Sequence, residues 1–121
     1  MNFLFIHQGF PAQYKHIIRA LASQGSNQIV ALGIKTLKQK IPKNVQYLRY
    51  NIPKGNTEGI HQLALETETK VIRGSACANA AYDLKSKGFI PDIVCAHTGW
   101  GEALFIKDVW PNVPILSYQE F

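Results

Sequence analysis

Two short segments of the chain combine a histidine with glycines and an aromatic residue, a mixture that can bind and orient a ligand. The first is HQGFP at residues 7–11, and the second is HTGWGE at residues 97–102. A histidine titrates near neutral pH and hydrogen-bonds hydroxyl or phosphate groups, so His97 is the first candidate for a catalytic or orienting group. Glycines leave room for a ligand against the backbone, and a tryptophan can stack on a sugar face.

Each of these residues also has a structural interpretation that the sequence leaves open. Gly9 either eases a tight turn or lets an anion approach the free amides that open the next helix. His97 can be a capping residue, and Trp100 can fill the core. Glu102 falls in the first turn of an expected helix, where the helix dipole favours a carboxylate in any case.

The surrounding sequence predicts the elements that position these segments. Apolar runs predict buried parallel strands, and they cover residues 2–6, 28–34, 45–50, 93–96 and 113–118. Helical spacing of apolar residues predicts three helices. The first ends at Gly25, and its apolar face consists of Tyr14, Ile17, Ile18, Leu21 and Ala22. The other two cover residues 57–87 and 101–109. Gly74, midway along the second, indicates a kink or a close helix contact.

The order of these elements, β-α-β-β-α-β-α-β, predicts an α/β fold. It is typical of a doubly wound, mostly parallel sheet with a Rossmann-like, three-layer α/β/α architecture. Ligands bind such sheets at the carboxyl ends of the strands, near the point where the strand order reverses. Both histidine segments follow a strand, so we expect them at that edge, and we predict a ligand site there.

Several known kinds of site are not supported by these segments. The first segment has a single glycine, so it is neither a dinucleotide-binding G-x-G-x-x-G nor a Walker A sequence. His7 and Gln8 stand where a response-regulator receiver would carry acidic residues. Cys95 and His97 share a strand face, but two ligands do not make a zinc site, so no metal is expected. The sequence does not exclude a site in which other backbone groups bind a flavin or a phosphate.

Composition and charge indicate one globular domain of 121 residues with a net charge of +5. The lysines cluster in one segment, at Lys35, Lys38, Lys40 and Lys43. No nucleic-acid motif accompanies them, so they indicate a solvated loop, with a peripheral contact to a membrane surface left open. Cys77 and Cys95 are expected to be buried free thiols, which fits a cytoplasmic protein. Apolar runs at both ends give the chain the look of a piece of a longer protein.

The two segments resemble the signatures of a bacterial subgroup of glycosyltransferase family 4. MNFLFIHQGFPAQYKHIIRALASQG, at the start of the chain, is similar to that subgroup's opening, in which a strand ends in a His-Gln-x-Phe-Pro turn. GFIPDIVCAHTGWGEALFIKDVWPNVPILSYQEF is similar to its second signature, a His-x-Gly-Trp-Gly-Glu segment followed by Lys-Asp and a closing Glu-Phe. The resemblance covers nearly the whole chain and is loosest over residues 35–69.

The resemblance implies a GT-B architecture, in which two Rossmann-like domains face each other across a cleft. Residues 1–121 would form the N-terminal, acceptor-side domain. Gly9 and Phe10 match the turn that approaches the donor diphosphate, and His97 matches a histidine beside the transferred sugar and the acceptor. The remaining substrate-binding candidates are assigned by their position alone: Gly99, Trp100, Gly101 and Glu102.

The family's donor-nucleotide pocket lies in the C-terminal domain, and nothing in this sequence corresponds to it. The resemblance therefore implies that the complete enzyme moves a sugar from a nucleotide donor to an acceptor hydroxyl, with retention, in polysaccharide or glycoconjugate synthesis. We expect the 121-residue chain alone to be inactive, and turnover of a sugar nucleotide by it would refute this. The sugar nucleotide is a substrate, and no cofactor is expected.

A stand-alone, flavodoxin-like module that binds a small ligand or a partner protein is the alternative function. A reading frame that continues into a second βαβ array with paired glutamates would favour the enzyme. The expected partners are a sugar nucleotide and a carbohydrate or lipid-linked acceptor, both bound with the help of the C-terminal domain. Binding to nucleic acid is not expected. Without that domain, exposed apolar area at the cleft would favour a homodimer.

Overall fold

A computed structural model describes residues 1–120 and shows a five-stranded sheet. The strands are β1 (Asn2–Ile6), β2 (Gln28–Gly33), β3 (Val45–Arg49), β4 (Ile93–His97) and β5 (Ile115–Tyr118). They lie in the order β3-β2-β1-β4-β5, and every neighbouring pair is parallel. The order reverses between β1 and β4, so the doubly wound architecture is confirmed and its switch point is at the centre of the sheet.

Helices cover both faces of this sheet. They are α1 (Lys15–Ala22), α2 (Leu65–Ser86) and the short α3 (Ile106–Val109), and single 3₁₀ turns at Ala12–Tyr14 and Gln62–Ala64 precede the first two. Successive side chains of a strand point to opposite faces, so Leu4 packs with Cys77 of α2 whereas Phe5 packs with Ile18 of α1. The three-layer, Rossmann-like arrangement is therefore confirmed.

The first helix departs from its expected apolar face at one position. Tyr14 and Ile18 are buried, but Ile17 is 47 % exposed. The α-helix begins only at Lys15, after the 3₁₀ turn, and this shorter helix turns Ile17 away from the sheet. It ends at Ala22, three residues before the predicted stop at Gly25.

The long second helix is continuous through Gly74. Of the two expectations for this glycine, the close contact is the one that the structure shows, although its partner is a loop. A Cβ atom at Gly74 would lie 2.7 Å from the carbonyl oxygen of Gly101. The absence of a side chain therefore allows the loop after β4 to lie directly on α2.

The third helix was predicted over residues 101–109, and this prediction was wrong for its first half. Residues 98–105 form successive turns, and only Ile106–Val109 is helical. The physical reason is Gly101, whose φ of +103° lies in the left-handed region and cannot continue a right-handed helix. Glu102 is consequently not in a first helical turn, and no helix N-terminus faces the ligand edge at Gly101.

Candidate functional site

The two histidine segments meet at the carboxyl edge of the central strands. Ile6 of β1 is in register with Ala96 of β4, so the next residues, His7 and His97, are neighbours. Their ring centroids are 5.2 Å apart, and the residues are 6 % and 4 % exposed. The expectation that both segments share one edge of the sheet, at its switch point, is therefore confirmed.

Trp100 covers this pair of histidines. Its ring stacks on His97 with centroids 3.7 Å apart and planes 24° from parallel, and it forms a T-shaped pair with His7, with centroids 5.1 Å apart. The indole is only partly buried, and Trp100 and Gly99 border a cavity of about 410 Å³. Trp100 thus closes the histidine pair on one side and remains available to a ligand in that cavity.

The hydrogen bonds around His7 define its protonation. The backbone N–H of Gly9 donates to His7 Nδ1 at 3.0 Å, so the proton of the neutral ring is on Nε2. Nε2 is buried and has no hydrogen-bond partner among residues 1–120. Burial, and next the nearby His97, lower the pKa of His7. His7 is therefore a neutral ring whose one N–H is available to a ligand or a water molecule.

The amides of the turn after β1 are used within the turn itself. That of Gly9 binds the His7 ring, and that of Phe10 donates to the His7 carbonyl at 3.3 Å. The Phe10 side chain is buried and stacks on Tyr47, with ring centroids 5.5 Å apart. The structure thus supports the turn interpretation of Gly9. The assignment of Gly9 and Phe10 to substrate stays a prediction that the resemblance implies, and both residues border a small cavity of about 200 Å³.

We expect the free energy of unfolding to fall as the pH is lowered below the 6.5 of an ordinary histidine. The folded state holds His7 neutral, so the unfolded chain takes up the proton first and gains stability from it. Urea unfolding between about pH 7.5 and 5.5 measures this loss. His7→Asn, whose side-chain oxygen can accept the Gly9 N–H but does not titrate, should flatten the profile.

His16→Ala is the matched control for this pH dependence, because His16 is an exposed histidine on α1. It should leave the profile unchanged. Glu120 affects the free energy of unfolding only at lower pH. Its pKa in the folded state lies below the ordinary 4.5, so the stability that its carboxylate contributes is lost only as the pH falls below that range. An unchanged slope near pH 6 in His7→Asn would show that His7 is not the group responsible.

His97 is oriented by a chain of two hydrogen-bonded side chains. Its Nε2 lies 3.0 Å from Oε2 of Glu120, and Gln13 donates to the other oxygen of that carboxylate at 2.6 Å. The bonds from His97 and then Gln13 lower the pKa of Glu120, which therefore stays charged. With Nε2 engaged, Nδ1 of His97 is left buried without a partner among the described residues. The arrangement fixes the ring and leaves one nitrogen for a ligand.

Glu102 connects three loops from a fully buried position. Its Oε1 accepts hydrogen bonds from Gln8 Nε2 at 2.6 Å and from the Tyr50 hydroxyl at 3.1 Å, and the residue is 1 % exposed. Burial, followed by the carboxylate of Glu102, raises the pKa of Tyr50, which stays a neutral donor. Glu102 thereby links the loops after β1, β3 and β4 through hydrogen bonds. Substrate contact by Glu102 stays a prediction.

Gly101 has a structural reason for its identity. A Cβ atom there would lie 2.5 Å from the carbonyl oxygen and 2.7 Å from the Cα of Lys70 on α2. Gly99, by contrast, is exposed and has only His97 Cε1 nearby, at 3.6 Å. Of the two glycines, Gly99 has the space that a ligand would need, while Gly101 fixes the loop on the helix.

Five residues of this site were not named singly as sequence-based candidates, namely His7, Gln8, Gln13, Tyr50 and Glu120. Three of them gave a signal, since His7 and Gln8 lie in the first histidine segment and Glu120 belongs to the closing Glu-Phe motif. Gln13 and Tyr50 reach the site through tertiary packing. Cys77 and Cys95 are buried free thiols, as predicted, and burial raises the pKa of each. Both are therefore protonated and unreactive at neutral pH.

Residues 1–120 offer neither a metal cluster nor a membrane-spanning helix. In this range no three or more His, Cys, Asp or Glu side chains are grouped so that they could hold a metal ion. None of the helices described is long and apolar enough to cross a membrane.

Comparison with known proteins gives one family. The sequence profile of the glycosyl transferase family 4 group matches residues 25–121. The match includes β2 to β5 and the whole segment from His97 to Glu102, while the turn at residues 7–11 lies outside it. Phe121, the last residue of the Glu-Phe motif, is matched but lies outside the described residues. No curated protein matches the chain significantly.

Proposed function

The chain belongs to the glycosyl transferase family 4 group, and we propose that it is the N-terminal, acceptor-side half of a two-domain GT-B enzyme. That enzyme transfers a sugar from a nucleotide donor to an acceptor hydroxyl with retention, in polysaccharide or glycoconjugate synthesis. The observation that carries the proposal is the pair of buried histidines at the switch point, each with one ring nitrogen that has no partner among residues 1–120. The family match favours this function over a stand-alone flavodoxin-like binding module.

In this proposal the two histidines orient the reacting sugar units. His7 donates a hydrogen bond from its neutral Nε2–H. His97, held by Glu120 through Nε2, presents Nδ1 to a hydroxyl of the acceptor or of the transferred sugar. Because both rings are fixed by other bonds, little entropy is lost when they bind the substrate. Trp100 excludes water from one side of His97.

The donor nucleotide is assigned to a C-terminal domain outside these 121 residues. The chain alone then binds acceptor but does not turn over the donor. Gly9, Phe10, Gly99, Trp100, Gly101 and Glu102 remain substrate-binding candidates in this scheme, with Gly99 and Trp100 the best exposed of them.

We expect His97→Ala, made in the polypeptide that carries both domains, to lower kcat for sugar transfer about 100-fold. The measurement is release of the nucleotide from a panel of sugar nucleotides in the presence of acceptor. His16→Ala replaces an exposed histidine on α1 and should keep full activity. A His97→Ala enzyme with undiminished kcat, or a wild-type two-domain protein that transfers no sugar, would refute the proposal.

The remaining predictions about partners and location are part of the same proposal. The acceptor is a carbohydrate or a lipid-linked saccharide, the protein works in the cytoplasm, and the lysine segment around Lys38 gives it a peripheral contact with the membrane. Leu104 and Leu116 are more than half exposed, which supports an apolar surface that another domain or a second copy of the chain covers.

A further inference from the structure

A cavity on α2 is bordered by Trp100, the residue that covers the histidine pair. It measures about 410 Å³ and is bordered by Trp100 and Gly99 on the loop after β4, and by Glu66, Lys70 and Arg73 among the residues of the helix. We call it the α2 cavity. Lys70 and Arg73 are three residues apart on a helix, so their side chains emerge on the same face. The cavity therefore combines an aromatic ring with two cationic groups and one carboxylate.

The backbone keeps this combination in place. The loop after β4 crosses α2 at Lys70, and Gly101 lies so close to the backbone of Lys70 that no side chain fits between them. Gly74, one turn further along, receives the same loop. Trp100 directly precedes Gly101, whose contact with α2 fixes the loop on the helix that carries both cations. This fixed spacing is what a preformed ligand site requires.

Two cations, Lys70 and Arg73, against the single carboxylate of Glu66 leave the α2 cavity with a net positive charge. Glu66 pairs with Lys70 at 3.8 Å, but this carboxylate is 91 % exposed, so the pair is weak. No carboxylate among residues 1–120 forms an ion pair with Arg73. Arg73 also borders an adjoining cavity of about 290 Å³, together with Lys54 and Gln8. A guanidinium placed between two cavities without a counter-ion favours an anionic ligand.

We propose that the α2 cavity is a subsite for an anionic sugar unit of the acceptor, a saccharide that carries a carboxylate or a phosphate. The sugar ring lies against the part of Trp100 that is not stacked on His97, and Arg73 binds the anionic group, with Lys70 adding charge. This inference rests on the proposed function, because it places the acceptor against Trp100, the residue stacked on His97. It adds to that function the charge of the acceptor and the residue that selects it.

The test is binding to the 121-residue chain, which needs no catalysis. Four probes are titrated by calorimetry: a neutral glucose oligosaccharide, a matched oligosaccharide ending in glucuronate, a hexose phosphate and inorganic phosphate. We expect at least one anionic sugar to bind about tenfold more tightly than the neutral oligosaccharide. Comparison of the glucuronate and phosphate arms identifies which anion is preferred.

Arg73→Gln should weaken binding of the preferred anionic sugar about tenfold and leave the neutral oligosaccharide unaffected. Arg73 is not among the buried residues, so the variant should fold, and a far-ultraviolet spectrum checks this. Lys87→Gln removes an exposed charge beyond the end of α2 and should change nothing. Trp100→Phe should weaken the binding of both the anionic and the neutral saccharide, because in this proposal each stacks on the indole.

Three results would overturn the inference: equal binding of neutral and anionic sugars, full affinity in Arg73→Gln, or no sugar binding at all. Inorganic phosphate that binds as tightly as the sugars would overturn it too, since the ring would then contribute nothing. These outcomes are separate from the fate of the proposed function. If the two-domain protein transfers no sugar while the α2 cavity still selects anionic saccharides, only the enzymatic proposal fails.

Discussion

Gly101→Ala is expected to destabilise the chain by about 3 kcal/mol, through left-handed strain and a steric clash that add together. At a φ of +103° an alanine is strained whatever the space around it. The new methyl group would also lie 2.5 Å from the Lys70 carbonyl oxygen, far inside van der Waals contact. Because that atom is helix backbone, the clash can be relieved only if the loop after β4 separates from α2.

Urea unfolding of Gly101→Ala against wild type measures this loss, which would be a large fraction of the roughly 5–15 kcal/mol that stabilises a typical domain. Gly25→Ala is the matched control, because a methyl group at Gly25 would have no atom within 4 Å and the residue has no positive φ. It should change stability by less than about 0.5 kcal/mol. An equally mild effect at Gly101 would mean that the loop is not held against the helix.

Glu102→Ala is expected to cost about 3 kcal/mol, for a different reason. The substitution removes a buried carboxylate and leaves its two donors without a partner, namely the half-buried Gln8 and the hydroxyl of Tyr50, a residue that is 4 % exposed. It also empties the volume of a side chain that is 1 % exposed. Both effects act on the loops that hold the histidine pair, so ligand binding at His97 should weaken as well.

The contribution of the hydrogen bonds can be separated from that of the volume. Tyr50→Phe removes a single donor and should cost about 1 kcal/mol, and the double variant with Glu102→Ala should cost less than the sum. Glu58→Ala, at an exposed glutamate, is the control and should be near neutral. Thermal or urea unfolding that shows Glu102→Ala as stable as Glu58→Ala would contradict the proposed role of the network.

The strands were predictable because a strand that is buried on both faces needs a continuous apolar run. Such a run can be recognised within a single segment of the sequence. The start of the third helix was not predictable, because apolar spacing over residues 101–109 gives no sign that Gly101 is left-handed. The left-handed conformation of Gly101 accompanies a close contact with Lys70, which is distant in sequence. Ile17 was misplaced since the helical pattern could not show that the first turn is 3₁₀.

The candidate site was predictable only in outline. The topology rule placed His97 and the first loop at one edge of the sheet, and the structure confirmed this. The partners that define the chemistry of these residues, Glu120 for His97 and Tyr50 for Glu102, lie on other elements. No spacing rule connects side chains that approach only after the sheet has formed.

The parallel pairing of β1 with β4 also determines when the site comes into existence. These adjacent strands are separated by most of the chain, and the hydrogen bond between Asn2 and Asp92 beside them spans 90 residues. Contacts so distant in sequence form slowly, because a long loop must close before the contact stabilises it. His7 therefore does not meet His97 during synthesis until β4 has been made and has docked. A chain in which only β1 to β3 have formed would have His7 but not His97, and so only half of the candidate site at the switch point.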